Sequence, residues 1–398
     1  MQGWHGFRTH SSVVVSSLLV LIISSLLLYI SCFEGAPTAP PTVANTTDIP
    51  LAAVFAAWYG YDAGTGQCAG GLGTTHWNDT PNTAGVIYRP ELGYYCSADP
   101  TVVAWQLDQI EAAGISTLFV SWWDWGDSNL DGEVEASPHP DAYMNRGIQA
   151  VLKDIRDKKR PIKVALIVEP FTLTQAHIDP RDCGSPYPTN DCLWPAQKQT
   201  VLDWLWANYY GNADYADLMF RWDGKPLVLA FDPMTVPADD RYTVRLWTGR
   251  ARSPATEAEG WQWFFSPPQG VAQGMSDDGV AWVYPRFDEV PASQMGADYI
   301  FWAPRQIDPL LREGTYEAQW QELAQVRDRV RLVVLYGWNL YGEQAHIEPS
   351  RGCPAAVWDR YVARTAAYYG AFVQGLPLPA GDGPAPGCAY LPLVRAQP

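Results

Sequence analysis

From Leu51 onward, short apolar runs of about five to eight residues alternate with longer amphipathic segments. This alternation is typical of βαβ units, in which crossover helices join parallel strands. Eight such runs predict eight strands, and eight is the number that a closed (β/α)8 barrel needs. The predicted strands are residues 52–59, 115–123, 162–169, 226–232, 262–265, 280–284, 298–302 and 332–338. We therefore predict an α/β protein with a single (β/α)8 TIM barrel over residues 51–375.

Amphipathic segments predict helices at residues 100–113, 141–158, 197–210 and 356–369. Asp99 is a suitable N-cap for the first of these helices, because its carboxylate can accept a hydrogen bond from a free backbone N–H. Glycine and proline interrupt the fifth to seventh predicted strands. The last predicted helix would close the barrel, and residues 376–398 form a tail rich in proline and glycine.

The N-terminus has the pattern of an export signal. Arg8 precedes an apolar run over residues 13–30, and serine pairs within that run favour a signal segment over a membrane span. Cys32 follows in a context that resembles a bacterial lipobox. We therefore expect residues 1–32 to be a signal peptide or lipoprotein signal, and the proline- and threonine-rich residues 33–50 to be a tether. The protein would then be exported, either as a cell-surface lipoprotein or as a secreted protein.

The cysteine count agrees with export. Of the 7 cysteines, 6 remain once Cys32 is set apart, and an even set in an exported chain favours disulfides. Proximity along the chain suggests three pairs, which are Cys68 with Cys96, Cys183 with Cys192, and Cys353 with Cys388. Their spacings match no zinc site.

Charge and composition limit the possible partners. The net charge is -16 at pH 7, and no basic patch is visible in the sequence, which argues against nucleic acid and anionic membrane surfaces. Any membrane association would be through the N-terminal segment alone. The 19 Trp and 21 Tyr residues suit amphipathic ligands such as sugars, although a large core would also use them. We expect a monomer that binds an oligosaccharide or polysaccharide.

Carboxylates follow three of the predicted strands, and they are Glu169, Asp232 and Glu343. In a barrel, the carboxyl ends of the strands surround one site. Glycoside hydrolysis needs a protonated acid at the leaving oxygen and a second carboxylate about 5 to 9.5 Å away, the separation depending on the stereochemical outcome. These three residues are therefore the catalytic candidates. Each of them, taken singly, could instead cap a helix or pair with an arginine at the rim.

Aromatic and polar side chains occur near the same strand ends. Flat rings beside carboxylates form sugar-binding platforms, and a tryptophan wall raises the pKa of a nearby glutamic acid by desolvation. The alternative is that each ring belongs to the core, although adjacent aromatic residues in a strand face opposite sides. The candidates for substrate binding at these positions are Trp58, Tyr59, His76, Trp77, Trp122, Trp123, Asp124 and Trp338.

One acidic loop is a candidate for calcium. Asp127, Asn129 and Asp131 place oxygen ligands at alternate positions before Gly132, as calcium loops do. The later bidentate glutamate of such loops is replaced by Pro138, so a solvated acidic loop is the alternative. The 6 histidines include no HExxH motif or close pair, which argues against a catalytic transition metal. We expect no other cofactor.

The motifs, taken in order, resemble glycoside hydrolase family 99, the endo-α-mannosidase group of barrel enzymes. The matching segments, which run in the family's order, are residues 57–60, 76–78, 92–95 with 99–100, 113–115 with 121–123, 169–171, 224–226 with 232, and 338–349. The resemblance implies a (β/α)8 barrel and hydrolysis of α-linked mannose-type glycans.

The last of these segments resembles the family motif WNEWHEGTQIEP and begins at Trp338. The resemblance implies that Glu343 is the general acid and that Asn339, Tyr341 and His346 lie in the substrate site. It also implies a glutamate base that takes the proton of the sugar 2-hydroxyl, but the matching residue here is Leu340, which cannot accept a proton. The base or nucleophile would then be one of the other two catalytic candidates. We expect Glu348 to be a structural partner in the turn that follows.

Three functions remain open from the sequence. The first is an exported glycosidase that uses Glu343 as its acid. The second is a surface carbohydrate-binding protein that kept the barrel and lost the chemistry. The third is an exported barrel with a role in envelope structure, for which the sequence offers no positive feature.

Overall fold

The computed structural model describes residues 49–62, 65–77, 89–122, 143–168, 195–231, 239–248, 260–262, 275–285, 315–341, 345–351 and 360–380. Several predicted features lie outside these residues. They are the signal, residues 33–48 of the tether, the strand at 298–302, the acidic loop at 127–132, the C-terminal tail beyond residue 380, and the cysteines at 32, 183, 192, 353 and 388. Among the described residues, no helix is both long and apolar enough to cross a membrane.

The core of the protein is a curled parallel sheet. In chain order the strands are β1 (Leu51–Phe55), β2 (Arg89–Pro90), β3 (Thr117–Trp122), β4 (Lys163–Val168), β5 (Arg221–Trp222), β6 (Lys225–Phe231), β7 (Thr243–Thr248), β8 (Gly260–Gln262), β9 (Val280–Val283), β10 (Leu332–Leu335), β11 (Asn339–Leu340), β12 (Ala345–His346) and β13 (Ser350–Arg351). The runs of β1, β3 and β10 are buried along their whole length, as expected for strands covered on both faces.

The main sheet has the strand order of a barrel. Eight parallel strands pair in the order β8-β7-β6-β4-β3-β1-β10-β9, so β1 lies beside β10, and these are the first and the last of the eight along the chain. Ala52 of β1 pairs with Thr117 of β3 on one side and with Val334 of β10 on the other. This order agrees with the predicted (β/α)8 barrel, and the pairing of β8 with β9 that would complete it is not among the described ladders.

The sequence missed one parallel strand. β7 (Thr243–Thr248) lies between β6 and β8, where we predicted no strand, and β8 ends at Gln262, where we predicted a strand to begin. The apolar pattern of β7 was not recognised as a strand because Arg245 interrupts it. Its guanidinium is accommodated by a hydrogen bond to Asp278 at 2.7 Å.

Five helices are described, and they are α1 (Pro100–Ala112), α2 (Tyr143–Lys158), α3 (Pro195–Leu205), α4 (Thr315–Gln325) and α5 (Arg360–Gln374). The Asp99 cap is confirmed, since its carboxylate accepts a hydrogen bond from the Thr101 N–H at 2.8 Å. The sequence missed α4. The predicted helix at 197–210 ends as an α-helix at Leu205 and continues as a wider turn over Trp206–Tyr210.

A disulfide joins the two loops beside β1. Cys68 and Cys96 are bonded, as the sequence predicted. Nearby, Gly60 has a φ of 85°, and a Cβ on this residue would overlap the carbonyl oxygen of Tyr95. The absent side chain therefore lets the segment after β1 lie directly against the loop that carries Tyr95.

Candidate active site

The candidate site begins where β1 and β10 end. These neighbouring strands run in the same direction, with Ala53 paired to Leu335, so the residues that follow them share one edge of the sheet. The chain leaves β10 through a cis peptide bond between Tyr336 and Gly337, and the Trp338 N–H then donates to the Val54 carbonyl at 2.6 Å. The hydrogen bond places Trp338 and the strand β11 that follows it at the carboxyl end of the sheet, where barrel enzymes carry their sites.

Asn339 bridges the two strand ends. Its Oδ1 accepts from the Ala56 N–H at 2.7 Å, and its Nδ2 donates to the Ala56 carbonyl at 2.9 Å and to the Tyr95 hydroxyl at 3.2 Å. The residue is fully buried. Its described contacts therefore hold the site together, while its predicted role in substrate binding stays a prediction.

A stacked pair of rings lies beneath the site. The rings of Tyr59 and Trp77 are 4.1 Å apart between centroids and nearly parallel. The Trp77 Nε1 donates to the Tyr95 carbonyl at 2.7 Å, and the Tyr59 hydroxyl donates to the Asn339 carbonyl at 3.0 Å. Because both rings are buried, their main described role is packing and alignment of the site segments.

Other predicted aromatic residues are also buried. Trp122 is fully buried, donates from Nε1 to Asn145 Oδ1 at 2.8 Å, and stacks on Trp204 at 5.6 Å. Trp338 and Tyr341 are fully buried as well. These rings lie beneath the site as part of the core. Core packing is the alternative to sugar binding that the sequence left open for them.

The surface of the site contains a smaller set of rings. Trp58 is half-buried, His76 is exposed, and their rings are 5.6 Å apart. The His76 Nε2 lies 3.3 Å from the hydroxyl of Tyr143, the first residue of α2. His76 has a φ of 57°, a left-handed conformation that is rare outside glycine and often occurs at functional sites. Sequence reasoning missed Tyr143, because a single tyrosine at a helix start has no distinctive pattern.

A short hairpin follows β10. Asn339 pairs with His346 and Leu340 with Ala345, so only residues 341–344 connect the two strands. The rings of Tyr341 and His346 stack at 4.4 Å, and the His346 Nε2 lies 3.1 Å from the Ser350 hydroxyl. Both predicted site residues, Tyr341 and His346, thus belong to the frame of this hairpin.

Leu340 occupies a confined position. Its side chain is 6% exposed, and a Cβ on Gly337 would come within 2.7 Å of its Cδ1. Glycine at position 337 therefore makes room for the branched side chain. The position where the family resemblance implies a base is filled by closely packed apolar atoms.

Glu348 is the buried carboxyl of the site. Its Oε1 accepts from Gln106 Nε2 at 2.7 Å, and its Oε2 accepts from the Tyr95 hydroxyl at 2.9 Å. Burial raises the pKa of Glu348 to about 7, against the lowering effect of hydrogen bonds from Gln106, Tyr341 and Tyr95. These contacts agree with the prediction that Glu348 is a structural partner, which stays a prediction. No sequence pattern indicated Gln106, which is a lone polar residue on the buried face of α1.

The remaining candidates lie outside the described residues. They are the three catalytic candidates Glu169, Asp232 and Glu343, the substrate-binding candidates Trp123 and Asp124, and the calcium candidates Asp127, Asn129 and Asp131. β4 ends at Val168 and β6 at Phe231, each one residue before a catalytic candidate. Within the described part of the chain, no group of three or more His, Cys, Asp or Glu residues could hold a metal ion.

The fold and site together define a protein of the α/β barrel class. A curled parallel sheet gathers aromatic rings, an amide and a carboxyl at the carboxyl ends of neighbouring strands. No family model matches the sequence, and no curated protein matches it either.

Two solved structures of a glycoside hydrolase family 99 endo-α-mannosidase from Bacteroides thetaiotaomicron are similar to this chain. The one in complex with BIS-TRIS-propane has a TM-score of 0.52 and 16% sequence identity, and the match covers 84% of this chain and 99% of that one. The other has a TM-score of 0.53 and 15% identity over the same shares of the two chains. The chain therefore has a family 99-like fold.

Proposed function

We propose that the protein is an exported glycoside hydrolase that cleaves α-linked, mannose-type glycans by carboxylate acid/base catalysis. The observation that carries this proposal is the hairpin of β11 and β12 at the carboxyl edge of a family 99-like sheet. Glu343 lies between these two strands in the sequence. Export is supported by the N-terminal sequence and agrees with the Cys68–Cys96 disulfide.

In the proposed reaction, Glu343 gives its proton to the glycosidic oxygen as the bond to the anomeric carbon breaks. A second carboxylate, Glu169 or Asp232, assists on the other side of the sugar ring, either as a nucleophile or as the base that activates water. These two residues directly follow β4 and β6, and those strands are neighbours in the sheet. Leu340 lacks a basic atom, so the second role falls to one of them.

The substrate would lie against the exposed part of the aromatic set. Trp58 and His76 reach the surface, and a half-buried indole beside an imidazole offers a flat apolar face with polar edges. We propose that these two residues contact a sugar ring directly. The buried rings below them, including Tyr59 and Trp77, would keep that surface in place.

Turnover of α-linked mannan by the wild-type protein and by Glu343→Gln tests the proposal. Glutamine has nearly the same shape but no acidic proton, so we expect release of reducing ends to fall by about 100-fold or more. Glu317→Gln is the matched control, since Glu317 lies on α4 and its described hydrogen bond is to the exposed Gln321. Equal rates in wild type and Glu343→Gln would refute the assignment. Glycan binding without any release of reducing ends would favour the carbohydrate-binding alternative.

A further inference from the structure

The hairpin of β11 and β12 is closed at its base by backbone hydrogen bonds. The N–H groups of Ile347 and Glu348 both donate to the Trp338 carbonyl, at 3.0 and 2.9 Å. Above this closure, the strands contribute only two residue pairs. So short a ladder is weak by itself, and the side chains at its base must hold it in place.

One hydroxyl group connects the two ends of the hairpin. The Tyr95 hydroxyl accepts hydrogen bonds from Asn339 Nδ2 at 3.2 Å and from Gln106 Nε2 at 2.9 Å, and it donates to Glu348 Oε2 at 2.9 Å. Asn339 begins β11, and Glu348 follows β12. Both ends of the hairpin are therefore held by the loop before α1 and by α1 itself.

The two oxygens of Glu348 both accept hydrogen bonds from these neighbours. Gln106 Nε2 uses its two protons on Glu348 and Tyr95, and the Tyr95 hydroxyl already accepts two hydrogen bonds. The proton of that hydroxyl needs an acceptor, which Glu348 Oε2 provides. A glutamine at position 348 would place its NH2 group against Tyr95 or against Gln106. Two donors would then meet, or the Gln106 amide, whose Oε1 has no described partner, would have to turn over and give up its hydrogen bond to Tyr95.

The groups that face Glu348 are neutral. They are Gln106 on α1, Tyr95 in the loop before α1, and Tyr341 at the end of β11, with Tyr59 behind Tyr95. In the described part of the chain, no lysine, arginine or histidine forms an ion pair with Glu348. The carboxylate is thus held by hydrogen bonds alone, which makes its geometry strict and its replacement costly.

We propose that Glu348 is a positioning residue that fixes the hairpin of β11 and β12 through Gln106 and Tyr95. This inference rests on the proposed function, since Glu343, the proposed acid, lies between these two strands in the sequence. Glu348 does not touch the substrate in this scheme. It acts on the reaction only by holding both ends of the short hairpin in place.

Glu348→Gln, studied at pH 8, tests the inference with two independent measurements. Hydrogen–deuterium exchange of residues 338–348 reports the hairpin without any need for activity, and we expect exchange there to rise by about 10-fold or more while the β1 and β10 peptides keep their protection. On α-linked mannan we expect kcat to fall by a similar factor with little change in KM, since a displaced acid weakens the transition state more than the bound state.

Two further variants make the test specific. Gln106→Glu combined with Glu348→Gln exchanges the amide and the carboxylate across Tyr95, so it restores one acceptor and one amide and should recover most of the protection. Thr365→Val is the control, because it removes a buried hydrogen bond of 2.8 Å to Tyr316 between α4 and α5. Its hairpin exchange and kcat should match those of wild type. If Glu348→Gln does not fold, Tyr95→Phe, which removes the shared hydroxyl, takes its place.

The outcomes separate the two proposals. Unchanged hairpin exchange in Glu348→Gln, or faster exchange with unchanged kcat, overturns the positioning role. Faster exchange that the double variant reverses supports it. If wild type itself releases no reducing ends, the proposed function fails, while the exchange data still decide whether Glu348 holds the hairpin.

Discussion

The buried carboxyl of Glu348 predicts an unusual dependence of stability on pH. The pKa of Glu348 is raised to about 7 by burial, whereas the same group in the unfolded chain has a pKa near 4.5. The folded protein therefore holds this proton more tightly than the unfolded chain. The resulting contribution to stability is full below pH 4.5 and is lost as the pH rises to 7. The side chain is 1% exposed, so solvent screening does not reduce the effect.

The magnitude follows from the two pKa values. At about 1.36 kcal/mol per pKa unit, the free energy of unfolding should fall by about 2.5 kcal/mol between pH 5 and pH 8 through this group alone. An unfolding entropy of about 2.1 cal/mol/K per residue over the roughly 350 residues of the folded part converts this to a decrease in Tm of about 3 °C.

Thermal unfolding of wild type and Glu348→Gln at pH 5, 6, 7 and 8 measures the effect. Histidines and other groups also titrate in this range, but they are common to both proteins. The difference between the two Tm profiles therefore isolates Glu348, and we expect only wild type to show the additional decrease. Parallel profiles for the two proteins would refute the reasoning, because they would mean that Glu348 ionises in the folded protein as it does in the unfolded chain.

Two other predictions concern Leu340 and the disulfide. Leu340→Glu places a carboxylate where the family resemblance implies the base, but this position is packed against Gly337 and the proposed base is on another strand, so mannan turnover should equal that of Leu340→Gln, which has the same shape without basicity. A rate about 100-fold higher in Leu340→Glu would contradict this. Burying the new carboxylate should also lower the free energy of unfolding by about 1–3 kcal/mol, measured by denaturant titration. Replacing Cys68 and Cys96 together with serine opens a loop with a sequence separation of 28 residues, which should lower that free energy by about 3–4 kcal/mol. An unchanged denaturation midpoint would show that the bond does not constrain the unfolded chain.

Local patterns predicted the framework of the fold well. The apolar runs at β1, β3, β4, β6 and β10 are largely buried strands, and they stand out as continuous apolar runs because both faces of a parallel sheet are covered. The Asp99 cap and the Cys68–Cys96 bond also followed from short-range sequence features. Such features depend on neighbours along the chain, which a sequence displays directly.

The site was harder to predict, because its contacts join residues that are distant in sequence. Gln106 and Glu348 are 242 positions apart, and nothing near either residue indicates the other. The positions of the aromatic residues could not be predicted for the same reason. Trp58 and Tyr59 are adjacent in the chain, yet Tyr59 is buried against Trp77 while Trp58 reaches the surface. Composition identified the ring set, but only packing divides it into a buried support and an exposed surface.

The structure also separates the roles of the residues in the 338–349 motif. In the sequence, Glu343 and Glu348 are two carboxylates in one motif, and Leu340 is a missing third. In the structure, Glu348 is bound on both oxygens below the hairpin, and Leu340 is packed against Gly337. Neither position is therefore free to serve as a base without rearrangement. If the protein is a hydrolase, the second catalytic carboxylate must come from another strand, and Glu169 after β4 and Asp232 after β6 are the candidates that the fold provides.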